Sequence, residues 1–173
     1  KNKILEIYLN FPFILIMMTN LKIGQKAPGF SVTDQNGDLI KLSDFKGKNL
    51  ILYFYPKDDT PGCTKEACNF KDSYSIFKEK NIEILGVSKD NEKSHKKFIE
   101  KYKLPFKLLA DEKGELCEKY CVWVEKSLYG KKYMGIAWTT FLINKEGKIK
   151  HIFENVKPEE HDKEILEKFR KNG

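Results

Sequence analysis

Two short runs of apolar residues predict buried strands in the first half of the chain. Residues 50–55 read LILYFY and residues 82–88 read IEILGVS. Runs of this length, rich in branched and aromatic side chains, are typical of strands with both faces covered. Between them, residues 66–80 carry apolar side chains at helical spacing, which predicts a helix. The side chains that set this spacing are Ala67, Phe70, Tyr74 and Phe77.

The remaining pattern extends an alternation of strands and helices. Residues 30–34 and 39–42 predict two strands joined at Asn36–Gly37, a strong hairpin-turn signal. Strand and helix in turn, closed by an antiparallel hairpin and a last helix, predict an α/β domain with a mixed central sheet flanked by helices. The other predicted segments are strands at 106–109, 139–144 and 148–154 and helices at 91–102, 113–120 and 158–171.

A cysteine lies where the first strand passes through a loop into a helix. The stretch at residues 55–68 reads YPKDDTPGCTKEAC. Pro61 suits a first helical turn, where its missing N–H is not needed. The free N–H groups and the helix dipole of that turn predict a Cys63 pKa below the free value of about 8.5. Thr60 is close enough in sequence to turn its hydroxyl toward the sulfur or its substrate.

A second cysteine, Cys68, follows five residues after Cys63. On an intact helix this separation places the two Cα atoms roughly 8.6 Å apart. A disulfide requires less than about 7 Å. The spacing therefore predicts that the two cysteines bond only when the helix between them unwinds, as in a redox cycle with local unfolding.

The pattern Pro56-x-x-x-Thr60-x-x-Cys63 resembles the active-site signature of peroxiredoxins. Cys68 is similar to the resolving cysteine of the Q-type branch, the bacterioferritin comigratory proteins. Three further blocks, at residues 21–28, 130–136 and 139–144, stand in the order of that family. The resemblance implies a thioredoxin-like fold with an N-terminal β-hairpin for the domain at residues 19–173.

The resemblance also implies the catalytic roles. Cys63 would be the peroxidatic residue that attacks hydrogen peroxide or an organic hydroperoxide. Thr60 would hydrogen-bond the peroxide oxygens, and Pro56 would shield the pocket from water. Cys68 would close a disulfide that thioredoxin or a similar dithiol reduces. The sulfur is itself the redox centre, so no metal, haem or flavin is expected.

One family feature is missing from this chain. Trp138 stands where the family has an arginine that stabilises the thiolate and the peroxide. Trp offers one N–H donor and no charge. Glu66, which orients that arginine in the family, loses its partner, and its carboxylate is expected to raise the Cys63 pKa. We expect a slower peroxidase in which one of three lysines substitutes as a point charge: Lys57, Lys65 or Lys132.

The other cysteines and the histidines are expected to have structural roles. Cys117 and Cys121 are four residues apart, so the predicted helix at 113–120 would place them on one face as small buried residues. A resolving role for either, or a zinc site built from the four cysteines, remains an alternative, although the cysteine spacings are loose for zinc. His95, His151 and His161 are interpreted as surface residues.

Composition narrows the function classes. The net charge is +7 over 173 residues and almost all cations are lysines, with Arg170 the only arginine. No basic block with interleaved aromatics suggests a nucleic-acid partner. Four cysteines are too few for a disulfide scaffold.

The expected protein is a cytoplasmic monomer, with a weak dimer as the alternative. The alternative function is a peroxide-sensing thiol switch or interaction module with low turnover because of Trp138.

Residues 1–18 form an apolar N-terminal extension that lies outside the family pattern. Glu6, Asn10 and Pro12 interrupt it, and it is short for a transmembrane helix. Three interpretations remain: translated upstream sequence with Met17 or Met18 as the start, an uncleaved membrane tether, or a segment that packs on the domain. We favour the first.

Overall fold

A five-stranded mixed sheet forms the centre of the computed structural model, which describes residues 21–171. The predicted extension at residues 1–18 lies outside this range. The bounds of the strands are β1 Ser31–Thr33, β2 Leu39–Lys41, β3 Asn49–Phe54, β4 Ile82–Ser88, β5 Lys107–Ala110, β6 Trp123–Leu128, β7 Lys131–Ile136, β8 Thr139–Ile143 and β9 Ile149–Phe153. The α-helices are α1 Pro61–Asp72, α2 Tyr74–Glu79, α3 Glu92–Tyr102, α4 Glu115–Lys119 and α5 His161–Arg170, with 3₁₀ turns at Leu42–Phe45 and Pro158–Glu160.

The sheet order is β5-β4-β3-β8-β9, so most of the apolar run at residues 50–55 lies in the central strand β3. β3 pairs with β4 in parallel and with β8 antiparallel, and β4 pairs with β5 in parallel. Successive residues of β3 therefore face opposite sides of the sheet. Leu50, Leu52 and Phe54 enter one core cluster, while Ile51 and Tyr53 enter the other. The predicted α/β class with a mixed, helix-flanked sheet is confirmed, as is the N-terminal hairpin of β1 and β2.

The predicted helix at 66–80 is divided in two. α1 ends at Asp72, and α2 begins at Tyr74. Ser73 between them has φ −93° and ψ 1°, and its buried hydroxyl donates to the Asp162 carboxylate of α5. The helical spacing of apolar residues continues through this break, so the spacing did not indicate that the first helix ends there. The local signal is a serine, which competes for hydrogen bonds with the helix backbone.

An exposed hairpin of β6 and β7 follows α4, in a region for which the pattern predicted no element. Its register pairs Trp123 with Ile136 and Leu128 with Lys131. The tip is open to solvent, and Tyr129 is 98% exposed there. Because most of its residues cover no core, the hairpin lacks the apolar alternation by which a half-buried strand is predicted.

The prediction that Cys117 and Cys121 share a helix face was wrong. α4 ends at Lys119, and Cys121 has a φ of +66°, in the left-handed region. Cys117 is buried, whereas Cys121 is partly exposed. The two thiols are therefore not neighbours on one helical surface.

The interpretation of the histidines as surface residues was wrong for two of them. His95 is 0% exposed and His161 is 1% exposed. His161 contacts the Thr140 hydroxyl at 2.8 Å and the Glu164 carboxylate at 3.0 Å. His151 alone is half-buried. The charged neighbours in sequence were misleading, because each buried ring also contacts a partner in a distant segment, Leu109 for His95 and Thr140 for His161.

Within residues 21–171, no helix is both long enough and apolar enough to cross a membrane.

Candidate active site

Cys63 lies in the first turn of α1, directly beyond the end of β3. Thr60 is the N-cap residue, with extended backbone angles, and Pro61 opens the helix. The first intrahelical bond runs from the Thr64 N–H to the Thr60 carbonyl at 2.8 Å. The N–H groups of the turn before it are therefore free of helical partners. The predicted strand–loop–helix placement of Cys63 is confirmed.

The Cys63 thiol is enclosed, with only 1% of the residue exposed. Burial raises the pKa of Cys63 above its ordinary value, and the Glu66 and Asp58 carboxylates raise it further. The Thr60 hydroxyl and the Lys57 amide act against this effect, because both lower the Cys63 pKa by hydrogen bonding. The prediction of a lowered pKa was wrong, since desolvation of the sulfur outweighs the donors of the helix start.

The Thr60 hydroxyl carries one proton, for which two acceptors compete: the Lys57 carbonyl oxygen and the Cys63 sulfur. It donates to the Lys57 carbonyl at 2.9 Å. To stabilise a thiolate, the same proton must turn to the Cys63 sulfur. Pro56 is half-buried at the start of this loop. The structure thus brings together three of the predicted site residues, Pro56, Thr60 and Cys63, in one short loop and the helix turn that follows.

Cys68 lies five residues further along the same intact helix. Both cysteines are free thiols, and Cys68 is half-buried. α1 continues without interruption from Pro61 to Asp72. The roughly 8.6 Å expected between two Cα atoms five residues apart applies to such an intact helix, so a disulfide between Cys63 and Cys68 requires this helix to unwind.

Glu66 is a buried acid that forms no ion pair with any residue in the described range 21–171. It is 1% exposed, and its Oε2 has no hydrogen-bond partner within residues 21–171. Burial holds the pKa of Glu66 well above its usual range, which favours the protonated form. Among residues 21–171, the buried hydroxyl oxygens of Thr64 and Tyr53 also have no hydrogen-bond partner. Glu66 and Cys63 both raise the Tyr53 pKa, as does its own burial.

Trp138 reaches the turn that holds Cys63. A Cβ placed on Gly62 would lie 3.2 Å from Cη2 of the indole ring and 3.3 Å from Cζ2. The ring packs against the core cluster that includes Cys63. The position expected to hold a cation is therefore filled by an uncharged aromatic ring next to the thiol.

Lys126, which the sequence patterns did not indicate, is coupled to Cys63 electrostatically. Burial lowers the pKa of Lys126 and the charge of Cys63 raises it. The Lys126 side chain crosses Gly135, where an added Cβ would lie 3.2 Å from its Cδ. The three predicted substitutes are exposed, and Lys132 instead pairs with Glu125 at 3.1 Å. Lys126 belongs to the exposed hairpin, so only recognition of that hairpin would have pointed to it.

In the described range, no group of three or more His, Cys, Asp or Glu side chains is arranged to hold a metal ion. The site consists of a thiol, a hydroxyl, backbone amides and a buried acid. Such a set supports nucleophilic thiol chemistry on a small polar substrate.

Sequence comparison places the chain among known proteins. The profile of the AhpC/TSA family matches residues 23–152. Peroxiredoxin Bcp of Bacillus subtilis is 50% identical over 147 residues, which is 85% of this chain and 94% of that protein. Peroxiredoxin Bcp of Escherichia coli K12 is 44% identical over 149 residues, covering 86% of this chain and 96% of that protein.

Solved structures show the same similarity. A cysteine-to-serine mutant of Xylella fastidiosa PrxQ superposes with a TM-score of 0.84 at 33% identity, covering 89% of this chain and 98% of its own. A similar mutant of Xanthomonas campestris peroxiredoxin Q gives a TM-score of 0.79 at 35% identity, covering 83% and 92%.

Proposed function

Since the chain belongs to the AhpC/TSA family and is a peroxiredoxin, a thiol peroxidase, we propose that Cys63 is the residue that attacks the peroxide. The relatives also confirm the thioredoxin-like α/β fold. The observation that supports the proposal most directly is the position of Cys63 in the first turn of α1, where the Lys57 amide and the Thr60 hydroxyl both favour the thiolate.

The first step transfers one oxygen atom to sulfur. The Cys63 thiolate attacks one oxygen of ROOH, so that an S–O bond forms as the O–O bond breaks. The other oxygen leaves with the bonding pair as RO⁻ and takes up a proton to become ROH, or water when the substrate is hydrogen peroxide. The sulfur is oxidised to a sulfenic acid, and the peroxide is reduced by two electrons. Thr60 hydrogen-bonds the peroxide oxygens, and Pro56 shields them from solvent.

The second step regenerates the enzyme through Cys68. After α1 unwinds, the Cys68 thiolate attacks the Cys63 sulfenic sulfur, and hydroxide leaves and is protonated to water. A thioredoxin-type dithiol then reduces the disulfide by exchange and is itself oxidised. The Cys-x4-Cys spacing on one helix supports this assignment. A monomeric state and a cytoplasmic location stay predictions.

The alternative of a peroxide-sensing switch gains no support from the comparisons, since the similar proteins are peroxiredoxins.

The absence of the family arginine changes the expected rate. Burial and two nearby carboxylates raise the Cys63 pKa, and Trp138 provides no charge to oppose them. We therefore expect a slower peroxidase.

Peroxide consumption with thioredoxin, its reductase and NADPH tests these roles. The wild type should complete many turnovers and Cys63→Ser none. Cys68→Ser should oxidise once and fail to recycle with thioredoxin. Cys121→Ser, which changes a partly exposed thiol outside α1, is the matched control and should keep the wild-type rate. Turnover by Cys63→Ser would show that another residue attacks the peroxide.

A further inference from the structure

The loop that leads to Cys63 contains a buried carboxylate with a complete set of donors. Asp58 is 7% exposed. Its Oδ1 accepts a hydrogen bond from the Tyr55 hydroxyl at 2.6 Å, and its Oδ2 accepts one from the Ser94 hydroxyl at 2.8 Å. Nδ1 of His95 lies 2.8 Å from the same Oδ2. The carboxylate thus ties the loop to the start of α3.

Both ring nitrogens of His95 face acceptors. Nδ1 faces Asp58, and Nε2 lies 2.9 Å from the Leu109 carbonyl at the end of β5. The ring is therefore fixed by two contacts, one to the Asp58 carboxylate and one to the backbone of β5. His95 is fully buried, and Asp58 is 7% exposed. Since a buried network of this kind fixes one arrangement of the chain, the contacts hold the loop that carries Asp58.

The backbone of the same loop is held by a second acid. The Asp58 N–H donates to the Asp90 carboxylate at 2.9 Å, and the Ser88 hydroxyl donates to the same oxygen at 2.6 Å. Asp90 lies in the turn between β4 and α3. The amide and the side chain of Asp58 are therefore both anchored, each to a different segment.

The next residue is anchored to the other end of α3. Asp59 adopts the left-handed region with φ +55°. Its carboxylate accepts from Lys101 Nζ at 2.7 Å and from the Tyr102 hydroxyl at 2.6 Å. α3 therefore holds two successive loop residues, one near its first turn and one at its last.

These anchored residues lie between the two donors that favour the Cys63 thiolate. Lys57 directly precedes Asp58, and Thr60 directly follows Asp59. The Thr60 hydroxyl also closes the loop by donating to the Lys57 carbonyl at 2.9 Å. Any rotation of Asp58 and Asp59 would therefore move both the Lys57 amide and the Thr60 hydroxyl relative to the sulfur.

We propose that His95 is a positioning residue, which acts through Asp58 to hold the Lys57 amide and the Thr60 hydroxyl against Cys63. The proposal rests on the proposed role of Cys63 and adds the residue that sets the geometry of its donors. His95 lies 32 positions after Cys63 in sequence and does not itself touch the reacting atoms.

Removing the ring of His95 would leave the buried Asp58 carboxylate without its contact to the ring nitrogen. The loop would then rearrange to hydrate the acid, and the Lys57 and Thr60 donors would withdraw from the sulfur. The expected consequence is a smaller thiolate fraction on Cys63 at neutral pH, and with it a slower attack on peroxide.

The test is the rate of Cys63 alkylation by iodoacetamide as a function of pH, with the modified cysteine identified by mass spectrometry. His95→Asn should shift the profile to higher pH and slow alkylation at pH 7 roughly tenfold, which corresponds to one pH unit in the pKa. Peroxide kcat/KM should fall by a similar factor. The profile reports the sulfur environment, which a change in overall stability does not move while the protein stays folded.

His161→Asn is the matched control. His161 is equally buried and also bonds to a hydroxyl and a carboxylate, but in a different segment of the fold. The His161→Asn variant should be less stable than the wild type, and its alkylation profile should be unchanged. If a folded His95→Asn variant keeps the wild-type profile, or if His161→Asn shifts it equally, the proposal is overturned.

A milder variant covers the case in which His95→Asn does not fold. Ser94→Ala removes one donor to the same Asp58 oxygen at a half-buried position. It should shift the profile in the same direction by a smaller amount, and an unchanged profile overturns the proposal. The role of Cys63 itself is decided separately by turnover of Cys63→Ser, so failure of one proposal is distinguishable from failure of the other.

Discussion

Two groups of buried polar side chains lie near Cys63, and they differ in how fully their hydrogen bonds are made. Around Asp58 every carboxylate oxygen has donors, and the His95 ring is bonded at both nitrogens. We call this the satisfied cluster. The second group comprises Tyr53, Thr64 and Glu66, each with a buried oxygen that has no partner within residues 21–171. We call it the unsatisfied cluster.

The comparison shows that buried polar groups can have two different consequences. A complete network fixes one arrangement of the chain, because every alternative leaves a group unpaired. An incomplete one costs stability, about 1–3 kcal/mol for each unpaired group. The satisfied cluster lies under the loop that positions the donors of Cys63. Two members of the unsatisfied cluster, Thr64 and Glu66, belong to α1, and the Trp138 ring packs on the first turn of this helix at Gly62.

The largest expected effect comes from breaking the satisfied cluster. Asp58→Ala leaves the His95 ring, the Tyr55 hydroxyl and the Ser94 hydroxyl without their acceptor, and each buried unpaired group costs about 1–3 kcal/mol. Urea denaturation should show this loss in the free energy of unfolding. Asp38→Ala, at an exposed position, is the control and should change stability little. A loss below about 1 kcal/mol for Asp58→Ala would show that the cluster does not hold the loop.

Replacing the buried acid of the unsatisfied cluster with an amide should stabilise the protein at alkaline pH, where the acid would otherwise ionise. Burial raises the folded-state pKa of Glu66 above that of the unfolded chain. The wild type therefore loses stability as the pH rises from about 4.3, the ordinary value, through the raised pKa of the folded state. Glu66→Gln cannot ionise, so it should avoid this loss and gain about 1–3 kcal/mol over the wild type at alkaline pH.

Urea denaturation at pH 5 and pH 9 measures the Glu66 effect. The difference between Glu66→Gln and the wild type should widen toward pH 9. Glu118→Gln, at an exposed position, should show no such divergence. Parallel stability curves for Glu66→Gln and the wild type would mean that Glu66 has a charge partner in solution.

Completing the unsatisfied cluster should speed the reaction. Trp138→Arg places a guanidinium near Glu66 and Cys63, where it would pair the acid and lower the Cys63 pKa. We expect the second-order rate constant with peroxide, measured by stopped flow, to rise roughly tenfold for one pKa unit. Trp138→Gln removes the ring without adding charge and should not reproduce the gain. An unchanged rate in Trp138→Arg would show that the missing arginine does not limit this enzyme.

The smallest expected effect comes from the half-buried lysine that interacts with Cys63. Lys126→Met removes one positive charge, worth about 0.5 kcal/mol for a partly exposed pair. Alkylation of Cys63 at pH 7 should slow about twofold to threefold. Lys132→Met, on the paired strand but bonded to Glu125, should leave the rate unchanged. Equal effects from the two variants would assign the change to net charge and not to the position of Lys126.

Local patterns in the sequence were sufficient for much of the fold. The apolar runs of β3 and β4, the Asn36–Gly37 hairpin and the start of α1 at Pro61 were all predicted, because each depends on a few adjacent residues. The same holds for Cys63 at the helix start, with Cys68 on the same helix. The exposed β6–β7 hairpin was missed because its residues cover little apolar surface.

The order of most strands and helices, and the cysteine chemistry of the loop between β3 and α1, could be predicted from residues that are close together along the chain. The environment of those residues depends instead on contacts between distant segments. Asp58 meets His95 across 37 positions, and the charge of Cys63 acts on Lys126 across 63 positions. Burial reversed the expected direction of the Cys63 pKa. Burial and charge pairing depend on segments that are distant in sequence and that folding brings together. The neighbours of a residue along the chain therefore do not determine its pKa.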